Sequence, residues 1–410
     1  MQPHDTPATA TDAKEVSLGA LARPAAIVCG LLGVVGLAVT AWLGFGSPED
    51  FRRALFAYLT NYTFFLSISL GGLFFVLVQH ATRAGWSVNV RRLAEIPAAN
   101  FAILLVLFLP ILLPVLRGNG ALYVWADHEY AMRTPLIAHK IAWLNPTWVG
   151  IRCVGYFAIW WALGGYYFRR SLSQDRTGDA QPTLAMERWS PLGLLLYALT
   201  ITFAAFDLLM SLTPEWYSTI FGVYYFSGAA VAIFAFLPLA AALLQVSGRL
   251  AREITTEHYH DLGKLLFGFT VFWGYIAFSQ YMLIWYANIP EETVWYQPRH
   301  HAPWATISLV LLMGHLIIPF FGLLSRQVKR QKWALAFWAG WLMVMHWIDL
   351  YWLVMPAYSP DRVPFGAVDV AALVGIGGIY MASLFVIAGD RPLTPLGDPR
   401  RGESLAFENM

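Results

Sequence analysis

Ten long apolar stretches follow one another along the chain, separated by shorter polar connections. They cover approximately residues 25–45, 55–79, 97–116, 147–168, 190–211, 217–246, 264–287, 303–325, 334–355 and 366–388. Each has about 20 residues or more, the length with which an α-helix crosses the hydrocarbon core of a bilayer. The pattern therefore predicts an all-α polytopic membrane domain over residues 25–388, with an N-terminal tail at 1–24 and a C-terminal tail at 389–410.

Composition excludes a soluble globular protein. Of the 410 residues, 58% are hydrophobic and 13% are charged, and this charged share is about half that of a soluble domain. A net charge of +2 provides no basic excess for binding nucleic acid. The two cysteines, Cys29 and Cys153, are isolated, so we expect no metal site and no covalently bound cofactor. Any redox centre is then expected on another chain.

The distribution of Lys and Arg predicts how the chain is oriented in the membrane. An even number of spans places both termini on the same side. The two tails and the second, fourth, sixth and eighth connections hold 18 Lys and Arg residues, whereas the other five connections hold 7. Because cytoplasmic segments carry the excess of positive charge, we predict that both termini are cytoplasmic.

One short sequence pattern occurs twice. The fifth span ends with Asp207-Leu and has Pro214 seven residues after the aspartate, and the ninth span ends with Asp349-Leu and has Pro356 at the same spacing. The two copies are four spans apart and run in the same direction. This is the pattern that a parallel duplication of four-helix units, spans 2–5 and spans 6–9, would produce.

Ionisable residues inside the predicted spans are the main candidates for chemistry. A carboxylate in a membrane span is costly, so it usually faces a protein interior or a hydrated path and often has a function. Asp207 and Asp349 are predicted in the outer third of the bilayer, and His346 lies one turn before Asp349 on the same helix face. His315, in the eighth span, is at a similar depth. Together with His139 and Lys140, these four residues form the predicted proton path.

The two histidines allow other interpretations. They can be core residues that are hydrogen-bonded between helices, or the two axial ligands of a b-type haem. Other polar residues are Gln280 and Tyr281 in the seventh span, which either tie helices together or hydrogen-bond a quinone carbonyl. His139 and Lys140, in the long connection after the third span, are predicted at the outer mouth of a proton or quinol path, and His139 is also a candidate quinone contact.

Four strings resemble a known family of membrane subunits. They are residues Trp216 to Gly222, Asp261 to Phe267, Phe278 to Thr293 and Asp349 to Pro356. Together they resemble the second quinone-type membrane subunit of bacterial alternative complex III, a quinol:cytochrome c oxidoreductase. That subunit belongs to the NrfD-like, or polysulfide-reductase membrane-subunit, superfamily. The resemblance extends over roughly residues 20–390.

The resemblance implies a fold, a set of partners and a role. It implies ten helices in two four-helix bundles, spans 2–5 and 6–9, flanked by spans 1 and 10. It also implies a complex in the bacterial inner membrane, with a sister NrfD-like subunit, an iron–sulfur subunit and c-type haem subunits. The resemblance implies that the sister subunit is the better supported site of quinol oxidation, whereas the related subunit is proposed to conduct protons, here through Asp207, His346 and Asp349. Whether that subunit also holds a quinone, menaquinone or ubiquinone, is left open.

Two alternatives come from other functional classes. A stand-alone proton-coupled transporter would also use parallel repeats and intramembrane aspartates. A b-type cytochrome would use His315 and His346 as haem ligands.

Overall fold

The computed structural model describes residues 15–409, so most of the predicted N-terminal tail lies outside the described residues. Within this range the regular elements are helices. The ten longest are α1 (Ala22–Gly44), α2 (Pro48–Ala81), α3 (Val88–Leu116), α4 (Pro146–Thr177), α5 (Gln181–Leu208), α6 (Phe221–Val246), α7 (Thr256–Ala287), α8 (Trp304–Leu324), α9 (Lys332–Val354) and α10 (Ala367–Ala388). A helix therefore lies at each of the ten predicted spans.

Local sequence explains where two of these helices begin. The side chain of Ser47 accepts a hydrogen bond from the backbone N–H of Asp50, and Pro48 occupies the first position of α2. Asn145 accepts in the same way from Trp148, and Pro146 opens α4. Both starts combine a side-chain cap with a proline, whose missing N–H would have no partner in the first turn.

Eight of the described helices are long and apolar enough to cross a membrane. Of the ten longest helices, α4 and α9 are outside this group. They have 32 and 23 residues and are long enough to cross a membrane. Their mean hydropathy is lowered by ionisable residues and by many Trp and Tyr side chains, which are typical of membrane interfaces. An all-α polytopic membrane protein is thus confirmed, and the count of ten crossings stays a prediction.

The helices pack as two groups of neighbours joined by a central contact. In the first half, α2 packs against α3 and α5, and α4 packs against α3 and α5. In the second half, α6 packs against α7 and α9, and α8 contacts both α7 and α9. The halves meet where α6 contacts α2 and α5 and where α9 contacts α2.

Glycine residues allow α1 and α10 to approach each other closely. A Cβ atom added at Gly36 would lie 2.5 Å from the backbone nitrogen of Gly375, and one added at Gly33 would lie 2.5 Å from that of Ile379. No larger residue fits at either position without moving a backbone. These glycines are therefore packing positions, at which small residues let two membrane helices approach closely.

Both ends of the described range, residues 15–409, lie at one face of the helix assembly, which we call the terminal face. The backbone N–H of Leu393 donates to the carbonyl of Val16 at 2.7 Å. Further along the C-terminal segment, Asp398 accepts from Arg91 of α3 at 2.6 Å, and Ser404 is 2.9 Å from the imidazole of His258 in α7. The segment that follows α10 therefore packs against both halves.

The helix α3 starts at Val88, nine residues before the predicted span. Its first turns are stabilised by buried ion pairs, since Arg91 and Arg92 both donate to Glu95 and Arg92 also donates to Asp175 of α4. The sequence pattern placed these charges in a connection. Their mutual pairing is what permits them to be buried in a helix.

Candidate functional site

Asp207 and Asp349, the carboxylates of the repeated motif, lie near the face opposite the terminal face. The connections α3–α4, α5–α6 and α7–α8 are located at this face. Asp207 is 1% exposed and occupies the penultimate position of α5. Arg152 of α4 donates two hydrogen bonds to it, at 2.8 and 2.9 Å. Tyr156 donates a third at 2.8 Å, and the indole of Trp143 a fourth at 3.2 Å. The charge of Asp207 is therefore paired with that of Arg152, and its carboxylate accepts four hydrogen bonds.

Asp349 has different partners. It is also 1% exposed, but it lies inside α9, five residues before the helix ends. The hydroxyl of Tyr224 in α6 donates to Oδ1 at 2.6 Å, and the indole of Trp273 in α7 donates to Oδ2 at 3.1 Å. No ion pair to Asp349 occurs among residues 15–409. The carboxyl is thus held by two neutral donors.

The predicted histidines flank this arrangement without bonding to the carboxyl. The Nε2 atom of His346 is 2.9 Å from the hydroxyl of Ser67 in α2. The ring of His315 lies on the indole of Trp273, with ring centroids 3.8 Å apart. His315 therefore touches one of the two donors to Asp349, whereas His346 is hydrogen-bonded toward the first half. Neither arrangement contradicts the predicted proton path, which stays a prediction.

A widened turn in α8 positions His315. Residues Leu312–Ile317 form a π-helical turn, a feature that is frequent at functional sites. The carbonyl of Gly314 accepts a hydrogen bond at 2.7 Å from the indole of Trp341 in α9. The turn brings His315 against Trp273, and the bond to Trp341 fixes α8 on α9.

A cavity of about 470 Å³ lies beside Asp349, between α7 and α8. Its inner wall includes Tyr224 and Trp273, the two donors to the Asp349 carboxyl. Its outer wall includes Phe278, Leu309 and Leu312, which are 58%, 54% and 47% exposed. Apolar side chains that are exposed on a membrane helix face lipid, so this cavity opens sideways toward the membrane. We call it the lateral cavity. Its size is that of a small-molecule site.

The predicted quinone contacts divide between this cavity and its surroundings. Tyr281 lines the lateral cavity and packs edge-on against Tyr296. Gln280 is buried and is hydrogen-bonded to Ser218 at 3.1 Å and to Tyr296 at 3.2 Å. Gln280 thus ties helices and loops together, which is one of its two predicted roles, and only Tyr281 faces the space where a quinone would fit.

The other two predicted mouth residues lie outside the lateral cavity. His139 is exposed on the connection between α3 and α4. Lys140 is half-buried and donates to the carbonyl of Pro214 at 2.6 Å. Burial lowers the pKa of Lys140, and the nearby carboxylate of Glu215 opposes that shift. Neither residue lines the lateral cavity, and Lys140 instead fixes the long connection to the segment that joins α5 and α6.

Arg299 is a functional candidate that sequence reasoning missed. It lies in the connection between α7 and α8, lines the lateral cavity and is 3% exposed. Its guanidinium donates to the carbonyls of Trp295, Trp352 and Leu353. Burial lowers the pKa of Arg299 to about 9. The available signal was that Arg299 is the single cation of residues 288–302, a predominantly polar and aromatic loop.

The described residues contain no cluster of three or more His, Cys, Asp or Glu side chains that could hold a metal ion. No protein-family model matches the chain, and no curated protein matches it. The arrangement itself can do two things chemically. It can admit a lipid-soluble molecule from the membrane, and it can pass a proton between that molecule and Asp349 through Tyr224.

Proposed function

We propose that this chain is an integral membrane subunit of a quinol:electron-acceptor oxidoreductase, as the resemblance to alternative complex III implies. It acts in the bacterial inner membrane, with both termini cytoplasmic. Its partners are a sister NrfD-like subunit, an iron–sulfur subunit and c-type haem subunits. Its own part is to hold a quinone in the lateral cavity and to carry protons through Asp349.

The helix contacts support the proposed architecture of ten spans. The neighbours of α2 among α3–α5 are matched by the neighbours of α6 among α7–α9. The helices α1 and α10 pack mainly on each other and on α2. We therefore propose two units, α2–α5 and α6–α9, each ending in the Asp-Leu motif and flanked by α1 and α10.

One observation carries the functional proposal. The lateral cavity opens among lipid-facing side chains and ends at Tyr224 and Trp273, which are bonded to Asp349. A carboxyl without a cationic partner can gain or lose a proton without breaking an ion pair. A carboxylate bonded to an arginine cannot. A membrane-soluble donor of protons in this cavity would thus lie next to a group able to receive them.

The residues around the cavity fit a quinone. Its walls are mostly apolar, and the hydroxyls of Tyr281 and Ser308 and the guanidinium of Arg299 supply a few polar groups, which is the usual composition of a small-molecule site. Oxidation of a quinol releases protons together with electrons. The electrons would go to an iron–sulfur or haem centre of a partner subunit, and Tyr224 would relay a proton to Asp349.

Blocking the cavity tests this proposal. Ala277→Phe adds a ring to the cavity wall. Gly268→Phe is the matched control, because it adds the same ring to the same helix where a new Cβ meets no atom within 4 Å. With a photoreactive quinone, the wild type and Gly268→Phe should be labelled on peptides of α7 and α8. Ala277→Phe should lose this labelling, and retention of it would refute a quinone site here.

The proposed partners are tested separately. The tagged chain, isolated from its own membranes in mild detergent, should migrate on native gels with chains that carry c-type haem and iron–sulfur centres. A chain that migrates alone and moves protons in liposomes would instead be a transporter.

A further inference from the structure

Arg299 is a buried cation without an acidic partner among the described residues. Its guanidinium carries five N–H donors, and three carbonyl oxygens accept from its two terminal nitrogens, at 2.6, 3.1 and 3.2 Å. Its Nε atom is buried and has no hydrogen-bond partner. Burying a charge without an opposite charge is costly, so the side chain has unused capacity for an oxygen with negative character.

A structural role accounts for only part of this arrangement. The carbonyls of Trp352 and Leu353 belong to the last turn of α9, so Arg299 caps the C-terminal end of that helix. The guanidinium carbon of Arg299 lies 3.4 Å from the centroid of the Trp295 ring. These contacts fix the position of the guanidinium. They leave Nε unbonded and the charge uncompensated.

Arg152 shows what the same surroundings look like when the charge is compensated. Its guanidinium carbon lies 3.9 Å from the centroid of the Trp143 ring, and it donates to the Trp143 carbonyl. It also donates two hydrogen bonds to Asp207. The carboxylate that completes the Arg152 site has no counterpart at Arg299, where the lateral cavity is found instead.

Arg299 also separates two spaces. It lines the lateral cavity and a second cavity of about 260 Å³ near the opposite face, whose walls include Glu215 and Pro356. A ligand that enters from the membrane with its polar end first would therefore meet Arg299 at the boundary with the second cavity.

We propose that Arg299 anchors the head group of the quinone, donating a hydrogen bond to one of its ring oxygens. This inference rests on the proposed function of the lateral cavity. A quinone oxygen is a strong acceptor at the end of an apolar molecule, and its partial negative charge completes the site of the buried cation. A single ring with one tail fits a cavity of about 470 Å³, whereas a phospholipid would bring two tails.

Binding measurements on the full-length chain in its complex test the anchor. Decylubiquinone and a naphthoquinone of matched tail length are titrated in detergent, with displacement of the photoreactive quinone as the readout, and the thermal midpoint is recorded in parallel. Arg299→Gln should weaken binding at least about tenfold. Arg299→Lys should restore part of the affinity because it keeps the charge. Arg152→Lys, the matched cation outside the lateral cavity, should leave affinity unchanged.

The outcomes separate the anchor from the cavity. If the wild type and Arg299→Gln bind quinone within twofold of each other, the anchor is refuted and the cavity proposal stands. If Arg299→Gln loses thermal stability but keeps the wild-type affinity, Arg299 only caps α9 and the anchor is refuted. If the wild type binds neither quinone, both proposals fail.

A lipid arm tests the identity of the head group. The same titration is performed in nanodiscs of phosphatidylcholine alone and with phosphatidylglycerol added. Equal quinone affinity in the two lipids supports the anchor. Loss of quinone binding with phosphatidylglycerol in the wild type but not in Arg299→Gln would show that Arg299 binds an anionic lipid head group, and it would overturn the assignment.

Discussion

Asp207 and Asp349 occupy the same position of a repeated motif and have opposite electrostatic environments. Asp207 accepts four hydrogen bonds, two of them from Arg152. Asp349 accepts two, both from neutral donors. The donors also come from different places, because α4 supplies Arg152 and Tyr156 in the first half, whereas α6 and α7 supply Tyr224 and Trp273 in the second.

This difference shows that two copies of a motif need not have the same function. A buried carboxylate in a bidentate ion pair is expensive to protonate, because protonation would leave the arginine without its partner. A buried carboxyl between a phenol and an indole has no such penalty. Within the proposed function we therefore expect proton exchange at Asp349 rather than at Asp207, and we interpret the Asp207 pair as a fixed link between α4 and α5.

The largest expected effect comes from breaking the ion pair. Arg152→Met leaves Asp207 buried without its cation and should lower the free energy of unfolding by about 3 kcal/mol, measured by denaturant titration in detergent. The double variant Arg152→Met with Asp207→Leu should recover most of this loss. A single variant as stable as the wild type would show that the pair contributes nothing and would weaken the comparison.

The second effect concerns turnover. Asp349→Asn keeps the shape of the side chain but removes the group proposed to exchange protons, so quinol oxidation by the proposed complex should fall at least about tenfold. Asp207→Asn should affect stability more than turnover. Turnover is measured per assembled complex with a soluble quinol and an artificial acceptor. If the two variants lose turnover equally, the carboxylates are equivalent and our distinction is wrong.

The third effect separates the donors. Tyr224→Phe and Tyr156→Phe each remove one hydrogen bond to a buried carboxyl, and each should cost about 1 kcal/mol of stability. Only Tyr224 lines the lateral cavity, so only its replacement should also slow quinol oxidation. Equal turnover of the two variants would argue against a relay through Tyr224.

The smallest effect is expected away from both carboxyls. Ser67→Ala removes the hydrogen bond to His346 and should cost about 0.5 kcal/mol, the usual value for one such bond between membrane helices. Turnover should change less than twofold. A large loss of turnover would place His346 and Ser67 on the proton route and extend it toward the first half.

The structure agreed with the sequence wherever a local pattern was enough. Apolar runs of helical length predicted a helix at each of the ten positions. The cost of an intramembrane carboxyl predicted that Asp207 and Asp349 would be buried. These results depend on residue type and spacing along one helix.

Other features could not be predicted locally. The start of α3 was missed because Arg91, Arg92 and Glu95 neutralise one another only after α3 has folded against its neighbours. His139 was chosen for its chemistry, and only the structure shows that it is exposed on the connection between α3 and α4. Arg299 was missed because its burial depends on the end of α9, which is 53 residues further along the chain.

The sequence by itself therefore determined an all-helical membrane protein with two matching aspartates inside it. Hydrophobicity and helical periodicity are properties of neighbouring residues, so they can be read without knowing the fold. The packing of the helices places Arg152 beside Asp207 and the lateral cavity beside Asp349, and the sequence pattern does not contain this information. The energy of a buried charge depends on which distant side chains surround it, and that is set by how the helices pack.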